Sequence, residues 1–186
     1  MNIESVKRAI IQTKMMIIRS GWKRAEYLKK KGILHHIGEH CVYQSTLLPA
    51  EPFLVSIHDN VIIGPGVRLI THSASHLIYN YEENTNEYVC RHGKIEIHDN
   101  VYIGADAIIN MGVTIGSNCI IAAGAVVTHD IPSGSIAAGI PAKIIGTYDE
   151  NKAKHKEYSK KYNEKGLKEP CTVAEMIQAF PIEFDC

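Results

Sequence analysis

A beat of six residues runs through the middle of the chain and limits its fold more than any other feature. From Ile97 the sequence reads IHDNVY, IGADAI, INMGVT, IGSNCI, IAAGAV, VTHDIP, with Ile or Val opening every hexad at 97, 103, 109, 115, 121 and 127. The fifth position is also small or apolar: Val101, Ala107, Val113, Cys119, Ala125 and Ile131. An earlier copy, IHDNVI IGPGVR, begins at Ile57 and runs into Leu69, and a weaker one, IGEHCV, begins at Ile37. A helix repeats its apolar face every 3.6 residues and a plain strand every two, so neither alone accounts for the beat. A coil of three short flat faces does. Each hexad supplies a short strand and a corner; the opening branched residue points inward, and the small fifth residue is expected to let the chain turn. Gly64, Gly104, Gly112, Gly116 and Gly124 are expected to relieve the backbone at corners. Stacked coils pair their strands in parallel about 4.8 Å apart and bury a continuous column of Ile and Val, which makes a solenoid.

The flanks follow other rules. Ile3 to Leu34 is rich in helix formers, with Gly21 as the expected break between two helices. Asp149 to Lys168 reads as a charged helix, and Thr172 followed by Glu175 reads as a capping box opening a short helix over TVAEMIQAF. The expected organisation is a helical segment at 1–36, a β-helix at 37–148 with a loop insert at 71–94, and a helical segment at 149–186. The flanking helices are expected to cap or pack beside the prism ends, whose strand edges would otherwise invite aggregation.

Lys plus Arg and Asp plus Glu both number 20, so overall charge gives no reason to expect a nucleic-acid partner. The balance is uneven, however: residues 1–31 hold nine cations against Glu4 and Glu26, a net +7. Such a segment is either a solvated helix face or a weak peripheral contact with an anionic membrane. Its longest apolar run, Met15 to Ile18, is far short of a membrane span. No signal peptide is visible, and five cysteines without CxxC spacing suit a reducing, cytoplasmic setting.

Between Leu69 and Ile97 the beat stops, and the insert THSASHLIYNYEENTNEYVCRHGKIE fills the gap. Loops held by a rigid scaffold are where function concentrates. The hexads on either side resemble those of the hexapeptide-repeat acyltransferases, over roughly Ile37 to Ile145. That resemblance implies a mainly β fold, a left-handed parallel β-helix of triangular section. It also implies that a His in the interruption acts as general base, because LITH is similar to the xTH segment of sugar and polysaccharide O-acetyltransferases. His72, three residues past Leu69 and still on the edge of the coil, is the expected base, with His76 inside the insert as its rival. An Asp often follows this His in the family, whereas Ser73 stands here, so the group that orients the imidazole is not identified from sequence. Imidazole titrates near neutrality and suits removal of a hydroxyl proton as that hydroxyl attacks a thioester. Direct transfer needs no Ser or Cys nucleophile, and no GxSxG occurs.

The stretch VVTHDIPSGSIAAGIPAKII resembles the acetyl-CoA end of the maltose, galactoside and xenobiotic acetyltransferases, with a VTKDIP-like strand and a GxPAK-like turn. Carried over, the resemblance implies that Ala105 and Ala123 bond a pantetheine arm through their backbones. It sets Thr128 and His129 along the phosphates, Pro141 beside the adenine and Lys143 at the 3′-phosphate. His129 stands where relatives have Lys, and Gly146 where they have a second basic residue. Tyr102 takes the aromatic place of an NVWIG-like segment and is a candidate to pack on substrate or coenzyme. Glu51, in an EPFL segment shared with capsule-type relatives, is a candidate to bond an acceptor sugar hydroxyl or to serve structure. Tyr79 and Tyr81 are candidates to stack on a sugar ring.

The function implied is an acetyl-CoA-dependent O-acetyltransferase acting on a saccharide or other small-molecule acceptor, with no metal expected. A homotrimer with active sites between subunits is implied as well. Serine, antibiotic and nucleotide-sugar amine acceptors remain open. So do a γ-type carbonic anhydrase drawing zinc ligands from His72, His76, His92 and His98, and a non-catalytic β-helix scaffold.

Overall fold

The structure, a computed structural model, describes residues 3–164, so the helix expected over TVAEMIQAF lies outside the described residues. Residues 1–148 form one compact unit and residues 149–186 a second.

In the first unit the hexads wind into three stacked faces. The first face pairs His36–Ile37, Val55–Ile57, Ile95–Ile97 and Thr114–Ile115. The second pairs Arg68–Leu69, Ile108–Ile109 and Val126–Val127. The third runs through Val42–Tyr43, Ile62–Ile63, Val101–Ile103, Cys119–Ile121 and Ser135–Ala138, all parallel. It ends on Lys143–Thr147, which turns back antiparallel. Register puts Ile37, Ile57, Ile97 and Ile115 in one column, Leu69, Ile109 and Val127 in a second, and Tyr43, Ile63, Ile103, Ile121 and Ala137 in a third. All of these are buried. Each Ile or Val so enclosed contributes about 1.5–3 kcal/mol relative to exposure, which is why the opening position of every hexad is fixed.

The corners differ from expectation in one respect. The fifth residue is another inward residue, since Val101, Ala107, Val113, Cys119 and Ala125 are all buried. The turn is made by the fourth, which takes the left-handed conformation in Asn60, Asn100, Asp106, Gly112, Asn118 and Gly124, with φ between 57° and 80°. Asn, Asp and Gly are the residues that tolerate it. The HDN corners are further tied from coil to coil: Asn60 Nδ2 donates to Asn100 Oδ1 at 3.1 Å and Asn100 Nδ2 to Asn118 Oδ1 at 3.0 Å. Gly104 serves a different purpose from the one expected, for its φ is not left-handed. A Cβ there would lie 2.4 Å from the Ala123 nitrogen of the next coil, so glycine permits close stacking.

Two helices precede the coils, α1 (Ile3–Ile17) and α2 (Gly21–Lys30). Gly21 is the first residue of α2 and not the break; Ser20 caps the helix, accepting from the Lys23 N–H at 3.5 Å. α2 buries Ala25 and Leu28 against the first coil. α1 is pinned through Arg8, whose guanidinium donates to the carbonyls of Leu48, Pro49 and Ala50 at 3.0, 2.9 and 2.8 Å.

The insert is more ordered than the expected loop. His72–Ser73 and Arg91–His92 form a small antiparallel ribbon, and α3 (His76–Glu83) lies between them. Asn80 fastens α3 to the return strand by exchanging hydrogen bonds with the Tyr88 backbone at 2.9 and 3.0 Å. In the second unit a charged helix, α4 (Tyr148–Glu164), is described.

Candidate active site

The second face ends at Leu69, and the next residues leave the coil already tied down. Thr71 is buried, and its carbonyl accepts the Gly93 N–H at 3.0 Å, which closes the mouth of the insert. His72 therefore starts from a fixed backbone. Opposite it, the Leu48–Ala50 segment held by Arg8 leads into Glu51, the residue before a short 3-10 turn at Pro52–Leu54.

Glu51 Oε2 accepts two hydrogen bonds, from Thr71 Oγ1 at 2.6 Å and from His72 Nδ1 at 2.9 Å. The Glu51 N–H donates to the same Thr71 oxygen at 3.2 Å. On the other side of the carboxylate, His92 Nε2 stands 3.9 Å from Oε1. The His72 and His92 rings face each other across the ribbon, with centroids 5.8 Å apart. Burial by itself would raise the Glu51 pKa, but the hydrogen bonds from Thr71 and His72, with the fields of His72 and His92, outweigh it and hold the carboxyl below its usual range. An ionised carboxylate only accepts, so Nδ1 of His72 carries its proton toward Glu51, and Nε2 is the nitrogen with a lone pair in the neutral ring. The arrangement is an imidazole oriented through its far nitrogen by a half-buried carboxylate, the geometry a general base needs. A cleft of about 460 Å³ opens beside it, lined by Arg8, Leu48, Arg68, Ile70 and His72 among others.

Sequence left unidentified what orients His72. The structure brings Glu51 to that place: of its two expected roles, acceptor contact or structure, the geometry favours the second, since both of its oxygens are turned to protein groups. Thr71 was not singled out from sequence, and His92 was named only as a zinc ligand of the carbonic anhydrase alternative. The signal for Thr71 lay in the LITH segment itself; nothing in the local sequence marks His92, which reaches the site only through its pairing with His72. His76 opens α3, with a buried Nδ1 that has no hydrogen-bond partner among the described residues. Tyr79 packs on Tyr88 at 5.4 Å, and Tyr81 is 81% exposed.

The expected coenzyme residues fall in two groups. Ala105 and Ala123 stack on the corner between the third and second faces, where the Gly124 N–H donates to the Ala105 carbonyl at 2.8 Å. Thr128 and His129, joined by a 2.9 Å hydrogen bond, occupy the corner after the second face. That is the corner on which Ile70 and Thr71 lie, two coils away, or about 10 Å. Pro141 and Lys143 are exposed at the closing hairpin, whose Ala142 N–H donates to the Val126 carbonyl at 2.8 Å. Tyr102 projects outward from the third face, in register with Ile62 and Ile120. His98 stacks on His58 on the first face, with centroids 5.0 Å apart. Among the described residues no group of three or more His, Cys, Asp or Glu side chains is arranged to hold a metal ion. Cys41, Cys90 and Cys119 are free thiols.

Comparison with known proteins supports the reading of the repeats. The family model for the hexapeptide repeat of succinyl-transferase matches residues 94–129. This is a hexapeptide-repeat chain. Its likeness to the acetyltransferases built on that repeat holds in sequence and in fold. The galactoside O-acetyltransferase of Escherichia coli K12 is 38% identical over 110 residues, 59% of this chain and 52% of that protein. The hexapeptide-repeat chain thus spans about half the length of the curated relatives it matches. A galactoside acetyltransferase solved in complex with coenzyme A superposes with a TM-score of 0.60 at 27% identity, covering 79% of this chain and 82% of that one. A hexapeptide-repeat acetyltransferase of Vibrio cholerae, complexed with acetyl coenzyme A, gives 0.57 at 25% identity, covering 75% and 84%. The likeness implies the left-handed winding. No described helix is long and apolar enough to cross a membrane.

Proposed function

We propose that the chain is an acetyl-CoA-dependent O-acetyltransferase that moves an acetyl group directly onto a hydroxyl of a saccharide or similar small acceptor. The observation that carries this is the fixed pair of Glu51 and His72 at the edge of a coil stack whose relatives were solved with coenzyme A and acetyl coenzyme A. Nε2 of His72 takes the acceptor's hydroxyl proton as the oxygen bonds to the acetyl carbonyl carbon. The C–S bond then breaks, and the proton passes from Nε2 to the departing sulfur. Glu51 keeps the ring in the tautomer with Nε2 unprotonated and steadies the imidazolium between these transfers. Backbone N–H groups of the neighbouring coil would meet the charge that grows on the carbonyl oxygen. Glu51 is thus a positioning residue in this reading.

The small residues at the Ala105 and Ala123 corner suit close approach of an amide-bearing arm, and Lys143 suits a phosphate. These groups lie on a different corner from His72. A cyclic trimer supplies both halves of each site, since every chain then offers one corner to each neighbour. The outward row of Ile62, Tyr102 and Ile120 on the third face supports such an interface, because apolar rows of this kind are normally covered. A cytoplasmic setting accords with free thiols at Cys41, Cys90 and Cys119.

Acetyl-CoA consumption measured over a panel of sugars, antibiotics and amino acids tests the reading. Turnover with a sugar hydroxyl is expected, and His72→Ala should lower kcat about 10²- to 10⁴-fold with little change in melting temperature. Unchanged turnover in that variant would remove His72 from the mechanism, and transfer only to amines would replace the acceptor class.

A further inference from the structure

α1 is apolar on two opposite faces. One is spent on the coil stack: Met15 is fully buried, and Arg8 and Gln12 bond the 46–50 segment. The other faces outward. Ile10 is 62% exposed and Ile17 66% exposed, and with Val6, Ala9 and Thr13 they line a groove of about 540 Å³ closed by Tyr27 of α2. Trp22, the only tryptophan of the chain, is 57% exposed in the first turn of α2. A helix carrying apolar residues round most of its circumference normally has both faces covered, and here one is open.

We infer that this outer face of α1, together with Trp22, docks on an anionic lipid surface. Cations border the stripe: Lys14 lines the groove, and Arg19 and Lys23 are exposed beside Trp22 in sequence. Residues 1–31 carry a net +7 in a chain whose overall charge is zero. Apolar stripe, basic rim and an exposed indole are the elements that hold an amphipathic helix in the plane of a bilayer interface. A second copy of the same face is the poorer occupant, because symmetric pairing would bring Lys14, Arg19 and Lys23 against the same cations of the other copy. Nucleic acid would meet the cations and leave the apolar stripe bare. The open side of α1 thereby gives the chain a peripheral address on a membrane.

The full chain mixed with vesicles of phosphatidylcholine alone, and with vesicles about one-third phosphatidylserine, tests this directly, since every photon of indole emission comes from Trp22. Co-sedimentation and a blue shift with the anionic vesicles only, both weakened by salt, are expected. Ile10→Ser combined with Ile17→Ser should lower vesicle binding about tenfold or more, and Lys14→Glu combined with Lys23→Glu should do so similarly. Both double variants should melt like the parent chain, because these side chains point away from the core. Emission unmoved by anionic vesicles would overturn the proposal, as would binding that survives both double variants. So would a Trp22 already blue-shifted and shielded from quencher without lipid, which would assign the face to another copy of the chain.

Discussion

The coils from Ile95 to Ile131 and the interruption from Ile70 to Lys94 are built on opposite principles. In the coils each residue meets its counterpart above and below, column on column, and the Asn60, Asn100 and Asn118 amides repeat one contact at successive corners. The interruption has few fixings: the Thr71–Gly93 bond, the pairing of His72 with His92, and the Asn80 clasp on Tyr88. A repeat fills its interior with identical apolar groups and has no room there for chemistry. Where it stops, Glu51, His72 and His92 converge from three segments outside the column, on backbone still fixed by it. Regularity supplies rigidity, and the seam supplies the polar side chains on which the proposed function rests.

The largest effect should come from forcing a side chain into the regular part. Gly104→Val places atoms within 2.4 Å of the Ala123 backbone, which cannot yield without parting two coils. A cost of about 3 kcal/mol or more is expected, read as a fall of about 10 °C in melting temperature by calorimetry. At the seam the balance should reverse. Glu51→Gln keeps size and shape but loses the charge that favours one His72 tautomer, so kcat should fall about 10²-fold while KM for acetyl-CoA stays close to the parent's and the melting temperature at neutral pH drops by only a few degrees. An equal loss through KM would make Glu51 a binding group and blur the distinction between regions.

Acid should separate the regions less sharply. The Glu51 carboxyl is held below its ordinary value of 4.5, so its native tie stabilises the chain fully above that pH and is lost as pH falls through the lowered value. The melting-temperature gap between the parent chain and Glu51→Gln should accordingly be constant from neutrality to about pH 5 and close below it, in a thermal-melt series. The smallest effect belongs to the outer surface of the insert. Tyr81→Ser, at a side chain exposed over most of its area, should change melting temperature by no more than about 0.5 kcal/mol implies. A marked rise in acceptor KM for that variant would instead bring the ring into the acceptor site.

Sequence carried the coils well because a six-residue period records every inward position several times over. It was less informative about how they turn. The Asn and Asp of HDN, GAD and GSN were visible as letters, but only backbone angles separate a residue that turns the chain from the buried one that follows it. Gly104 shows the same limit: its need is set by Ala123, in the next coil, and no local pattern reports that contact. His72 was singled out by its place at the end of the beat. Its partner was not, because Glu51 approaches across a chain reversal, and a carboxylate in an EPFL segment looks the same whether it faces a ligand or an imidazole. The nearness of His92 to His72 was hidden for the same reason, since strand pairing across the whole insert joins them.

The Asn ladder at the corners has one more consequence. Because three successive coils grip one another by the same contact, the stack is graduated like a ruler, in marks about 4.8 Å apart. A whole coil gained or lost between Leu69 and Val127 would leave each contact intact and move the hairpin that carries Lys143 by one mark relative to His72. A stack built this way can bring Lys143 nearer to His72 or carry it farther away by counting coils, with no residue at either place redrawn.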